Sequence, residues 1–172
     1  MAANSSNNTR LFIGFLILQI FLGSMVDFGP LLFIAVYPLF ILTLPVNTTI
    51  NKLYLWGFFI GLAVDFFSDS ILGLNAVATL IMTAAQPSLF KFICRKGDLE
   101  NQIRPGLREL GLARFTGFVA IALTMHHIAF SVAESFDLML FIYILPRVLI
   151  SIVVNTALIL LIEYGVFYRR YR

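Results

Sequence analysis

Two carboxylates four residues apart, Asp65 and Asp69, fall on one helical face and are the first pattern in this chain with the makings of acid–base work or cation binding. Asp69 belongs to an expected loop, however, and no further oxygen ligand accompanies the pair, so the spacing gives no hard-cation site. His126 and His127 are adjacent. On a helix they point about 100° apart and cannot chelate one metal together, and neither belongs to an H-E-x-x-H pattern. His127, Ser131 and Glu134 share a face, yet His127 and Glu134 are about 10 Å apart along it, too far for a direct hydrogen bond. A lone cysteine, Cys94, beside Arg95 and Lys96, excludes a disulfide framework or a thiolate metal cluster. No Gly-x-Ser-x-Gly elbow, phosphate loop, dinucleotide fingerprint or aromatic–basic nucleic-acid pattern occurs. The expectation is a protein that is not an enzyme, holds no metal or cofactor and binds no nucleic acid.

Arg147 is the most expensive residue. It follows Pro146 inside an apolar run that begins near Leu138, which places it roughly 14 Å along the helix. A charge at that depth faces the protein interior and pairs. Asp65 is the expected partner, lying about a turn below the same surface and within snorkelling reach. Gln86-Pro87, Asn155 and Glu163 complete the polar inventory of the apolar runs, Glu163 at a membrane interface where an acid costs little.

The elements that must position these groups follow from composition. The chain has 172 residues, 60% apolar and 12% charged, with a mean hydropathy of +0.94, against about 25% charged in a soluble domain. At roughly 20 apolar residues per crossing, it reads as a single all-α transmembrane domain over 1–172 with almost nothing outside the bilayer. Six runs are expected as helices: 11–26, 31–44, 50–67, 72–92, 115–132 and 138–162, with a loop over 93–114. The second is short for a crossing and contains Pro38. With six crossings, every Lys and Arg except Arg147 falls on one side, while Asp27, Asp69, Glu134 and Asp137 fall on the other. The positive-inside rule then puts both termini in the cytoplasm, and five crossings would put a basic terminus outside. In the loop, Pro105 is placed to start a short helix with Leu107, Leu110 and Arg114 at helical spacing; the segment reads first as an ordinary basic loop that fixes topology, the alternative being a stub that lies on anionic headgroups or docks on a partner.

The third run and its exit read Gly57-Phe58-Phe59-Ile60-Gly61-Leu62-Ala63-Val64-Asp65, then Phe66 through Ser70, Ile71-Leu72-Gly73-Leu74-Asn75-Ala76. Gly57 and Gly61 form a small-residue face that admits another helix, and Gly73 relaxes the turn. This segment resembles the signature of the rod shape-determining protein MreD family. The likeness extends to the length, the short Pro-containing second run, and a last run with Pro146-Arg147 followed by Asn155. It implies a non-enzymatic scaffold in the bacterial inner membrane, part of the cell-elongation machinery that supports lateral peptidoglycan synthesis and rod shape. The implied partners are the bitopic protein MreC and, through it, MreB filaments, the RodA glycosyltransferase and a class B penicillin-binding transpeptidase, within membrane lipid. Gly57, Gly61, Asp65, Asp69, Gly73, His127, Glu134, Arg147 and Asn155 would then be structural or partner-contact residues.

That family is in turn similar to the six-helix substrate-binding subunits of energy-coupling-factor vitamin transporters. The alternative reading is such a subunit, with Asp65, Asp69, His127, Glu134 and Arg147 lining a ligand pocket. Those subunits grip their coupling partner through an Ala-x-x-x-Ala face in the first helix. Here residues 11–28, the first run and the two residues after it, contain no alanine.

Overall fold

Runs of Leu, Ile, Val and Phe bounded by Gly, Pro and polar residues become the long helices of the computed structural model, which describes residues 2–25, 31–68, 71–94, 97, 104–135 and 138–168. Every element among them is helical: α1 (Ala2–Met25), α2 (Pro38–Leu42), α3 (Ile50–Phe67), α4 (Leu74–Ile93), α5 (Leu107–Leu110), α6 (Leu112–Ser135) and α7 (Leu138–Ile162), which continues into a π-helical turn, Glu163–Tyr168. Among the described residues, five segments are long and apolar enough to cross a membrane: Asn7–Met25, Ile50–Phe67, Leu74–Ile93, Leu112–Ser135 and Tyr143–Tyr168. The chain is thus a multi-pass helical membrane protein by the length and apolarity of its helices. Pro87 in α4 and Pro146 in α7 sit inside helices, as neighbouring helices permit in a membrane.

The helices pack as a chain of neighbours, α3 on α4, α4 on α6 and α6 on α7, with α1 laid against α3 and α2. Ring contacts fix which ends meet. Phe12 of α1 lies 5.5 Å from Trp56 of α3, and Phe15 stacks at 6.3 Å on Phe167 after α7. Phe90 of α4 stacks at 5.2 Å on Phe118 of α6. The starts of α1, α3 and α6 and the ends of α4 and α7 therefore share one end of the bundle. That end carries Lys52, Lys91, Arg104, Arg108 and Arg114.

The second run departs from expectation. Residues 31–44 do not form a span-length helix: residues 32–36 have no regular secondary structure, and only Pro38–Leu42 is helical. The segment occupies the middle of the bundle, with Ala35 through Leu42 buried. It runs between the two ends. Phe33 stacks at 4.4 Å on Phe130 near the end of α6, and Phe40 lies edge-on to Phe12 and Trp56 at the opposite end. Pro38 contributes to this departure through its missing N–H, which cannot bond a carbonyl one turn back, while Tyr37 before it already has helical dihedrals (φ −60°, ψ −26°). α2 consequently begins at the proline.

Candidate functional site

Non-helical backbone at membrane depth requires an outside partner for each N–H and C=O, since lipid offers none. The partners here are side chains. Asn155 of α7 accepts from Ala35 N at 2.8 Å and donates from Nδ2 to Phe33 O at 2.7 Å. Gln19 of α1 accepts from Val36 N at 2.8 Å and donates to Ile34 O at 2.8 Å. Successive residues of an extended chain turn their polar groups to opposite sides. Asn155 therefore serves the edge formed by residues 33 and 35, and Gln19 the edge formed by 34 and 36. Each amide bonds a carbonyl and the N–H two residues later, as a neighbouring strand would. Ser151, one turn before Asn155, accepts from Phe33 N at 2.9 Å. At the other end Gln86 Nε2, beside Pro87, donates to Ile41 O at 2.9 Å.

A second constellation joins α3 to α4. Gly57, Gly61 and Asp65 recur at four-residue intervals on one face of α3. A Cβ at Gly61 would lie 2.6 Å from the Cα of Ala76 and 2.7 Å from Asn75 O, so only glycine lets the α4 backbone come this close. At Gly57 the obstacle would be the Thr83 hydroxyl, at 2.6 Å. One turn beyond Gly61, Asp65 caps α4 from outside. Gly73 N and Ala76 N donate to its Oδ2 at 3.0 and 3.1 Å, while Asn75 N and Nδ2 both donate to Oδ1 at 2.9 Å. The need is local: the N-cap position of α4 is Gly73, at φ 100°, which has no side chain to cap with. Only a residue tolerant of the left-handed region fits there. A carboxylate at this point also opposes the positive end of the α4 dipole.

The two constellations touch at Tyr37. Its hydroxyl donates to Asn75 Oδ1 at 3.0 Å and lies 2.6 Å from His126 Nε2. Thr79 Oγ1 sits between Asn75 O and the Tyr37 hydroxyl, at 2.7 and 3.1 Å. His126 Nδ1 is buried with no partner among the described residues. Protonation at Nε2 leaves only a lone pair unpaired, whereas protonation at Nδ1 would bury an unmatched donor. The bonds then run in one direction, from His126 through Tyr37 and Asn75 to Asp65.

The expected partnership of Arg147 with Asp65 is corrected by these distances. Arg147 donates to Glu134 Oε2 of α6 at 3.0 Å, while Asp65 spends its oxygens on α4. The long arginine stem carries the guanidinium toward the end of the bundle where α6 stops, and it stands 5.9 Å above the Phe33 ring. His127 faces Asn155, its Nε2 3.2 Å from Asn155 Nδ2. Asp69 lies outside the described residues, as do Asp27, Asp137 and the 98–103 part of the loop.

The alternative reading of the loop, a stub on headgroups or a partner, is corrected too. Leu107 and Leu110 pack on the protein's own core, Leu110 almost fully buried, rather than facing headgroups. Glu163, expected as an inexpensive interfacial acid, is 2% exposed and takes two bonds from Arg104, at 3.0 and 3.1 Å. The Arg104 guanidinium also covers the Phe167 ring at 3.9 Å. Gly106 lies under this pair, where a Cβ would meet Glu163 Oε1 at 2.5 Å.

Sequence reasoning passed over Gln19, Tyr37, Ser151 and the pairing of Arg104 with Glu163. The signal for Gln19 was present, since an amide in the middle of the run 11–26 needs an internal partner. No match to this chain is found among protein-family models, curated proteins or solved structures.

Proposed function

We propose that this chain is a non-enzymatic scaffold of the MreD kind in the bacterial inner membrane, supporting the cell-elongation machinery, lateral peptidoglycan synthesis and rod shape. Its direct partner in this reading is an MreC-type bitopic protein, with MreB filaments, RodA and a class B penicillin-binding transpeptidase engaged indirectly. The observation that carries the reading is the α3–α4 joint. Gly57, Gly61, Asp65 and Gly73, on which the resemblance rests, are spent on close approach and capping. Gln19, Ser151 and Asn155 are spent in the same way on the central segment. Polar groups committed to architecture suit a protein that works by presenting a surface.

In this reading the chain crosses six times with both termini in the cytoplasm, five times by helix and once by residues 31–44. A helix of that length would cover only about 21 Å. Half extended at about 3.3 Å per residue and half helical, the same residues reach roughly 33 Å, enough for a hydrocarbon core about 30 Å thick. The basic end of the bundle then faces the cytoplasm. A fold like that of energy-coupling-factor substrate-binding subunits is part of the same proposal.

The test is purification of the tagged protein from native membranes in mild detergent, with copurifying proteins identified by mass spectrometry. Recovery of an MreC-type protein with elongation synthases is the expected result. Recovery of a coupling subunit with paired ATPases would refute the scaffold and make the chain a transporter's substrate-binding subunit.

A further inference from the structure

At the basic end of the bundle, the turn after the central segment, the first turn of α3 and the last turns of α4 enclose a groove of about 340 Å³. This is within the range of about 300–1,000 Å³ typical of small-ligand sites. Its walls are apolar, from Val46, Ile50, Leu53 and Phe90 with the rings of Pro45 and Pro87. Two lining residues are polar, Thr48 and Lys91. The Thr48 hydroxyl is already used, donating to Pro45 O at 2.7 Å, and Thr48 N bonds the same carbonyl at 2.9 Å. These two hydrogen bonds to one carbonyl brace the turn that forms the wall. Lys91 lies in the last turn of α4, near the helix end, and pairs with no carboxylate among the described residues. The groove therefore offers an apolar wall and one unneutralised cation at the depth where a helix leaves the hydrocarbon.

We propose that this groove binds a single anionic phospholipid, an acyl chain lying against Leu53 and Phe90 and the phosphate held by Lys91. Charge complementarity selects the occupant. A soluble apolar molecule would leave the ammonium unmatched, and a zwitterionic lipid brings its own cation to the phosphate. A basic side chain at this depth reaches the headgroup layer by extending its stem along the apolar wall. The proposal needs only the membrane placement of the bundle and is independent of the partner reading.

Native mass spectrometry of the detergent-purified protein, supplied with phosphatidylglycerol or with phosphatidylcholine of the same acyl chains, tests it. The expected result is selective retention of one phosphatidylglycerol, with Lys91→Gln lowering the preference about fivefold and Lys91→Arg keeping it. Lys52→Gln, an exposed charge in the first turn of α3, leaves the preference unchanged. Val46→Phe fills the groove and removes the retained lipid with Lys91 intact. Equal retention of the two lipids, an equal effect of Lys52→Gln and Lys91→Gln, or displacement of the lipid by inorganic phosphate alone would each overturn the proposal. Thermal unfolding of each variant without added lipid confirms that the fold is retained. A Lys91→Gln variant that fails this check is replaced by Lys91→Met against Lys91→Arg in the same comparison.

Discussion

Replacing Asn155 by Leu keeps the side chain's approximate bulk and removes two of the three bonds that hold one edge of the central segment, leaving Phe33 N on Ser151. Ala35 N loses its acceptor and Phe33 O loses a donor, in a region where Ala35 is fully buried. A buried backbone group left unpaired costs about 1–3 kcal/mol, so the two together set an upper range of about 2–6 kcal/mol. Polar contacts between membrane helices are worth less on average, about 0.6 kcal/mol, because the unfolded chain in a membrane finds other partners. Here that escape is narrower, because Pro38 has no N–H to donate and a helix over 31–44 would leave one carbonyl without its bond. A loss of about 2 kcal/mol or more is expected. Thr156→Val, one residue later, is the control. The Thr156 hydroxyl is buried without a partner among the described residues, so replacing it with a methyl removes an unmatched polar group and should leave stability unchanged or raise it. Cys94 provides the assay, since it is the chain's single cysteine and is buried. Its reaction with a maleimide across a titration of denaturing into mild detergent reports unfolding. If Asn155→Leu unfolds at the same detergent fraction as Thr156→Val, the strand-like pairing does not hold the segment.

Gly61→Ala should abolish accumulation of folded protein, because its methyl would meet the Ala76 backbone, whereas Gly57→Ala should be milder because the Thr83 hydroxyl can turn away; comparable yields on size-exclusion chromatography would contradict this. Arg104→Met should destabilise more than Arg147→Met, by the same unfolding titration. Arg104 leaves Glu163 buried and uncompensated, a loss of several kcal/mol (about 3–5) in other proteins, while the Arg147–Glu134 pair is about a third exposed and worth about 1 kcal/mol or less. For topology, Gly97→Cys in a Cys94→Ser background moves the reporter thiol from a buried site to an exposed one. An impermeant maleimide should label it only after the membrane is opened, and labelling of intact spheroplasts would refute the six-crossing reading.

The five long helices were legible because their signal is local: apolar runs of sufficient length end at Gly, Pro or polar residues. Gly57, Gly61 and Asp65 were legible as one face, since four-residue spacing determines that without knowledge of the neighbour. The neighbour itself was not. Asp65 and Arg147 looked like partners because both are charges near one surface, but charge does not distinguish an ion pair from a cap, and the vacancy at the α4 N-terminus becomes visible only once Gly73 is seen to stand there. Residues 31–44 show the same limit. Composition marks them as apolar and buried, and periodicity reads such a run as helix. What decides otherwise is the presence of Gln19 and Asn155 at matching heights on two distant helices, a coincidence that no local window contains.

Those two amides also explain why the segment is held in one register. An extended chain can slide along a single row of partners, but a slip of one residue exchanges its edges. Gln19 would then face the groups that Asn155 now bonds, and Tyr37 would leave the pocket where its hydroxyl meets Asn75 and His126. Asn75 is in turn held by Asp65, and Asp65 is brought to the start of α4 by the close approach at Gly61. Position along the segment is therefore fixed by side chains from α1, α4, α6 and α7, with α3 acting through Asp65. Rotating any one of these helices by a residue breaks several bonds at once, so the bundle has little freedom to rearrange around its centre.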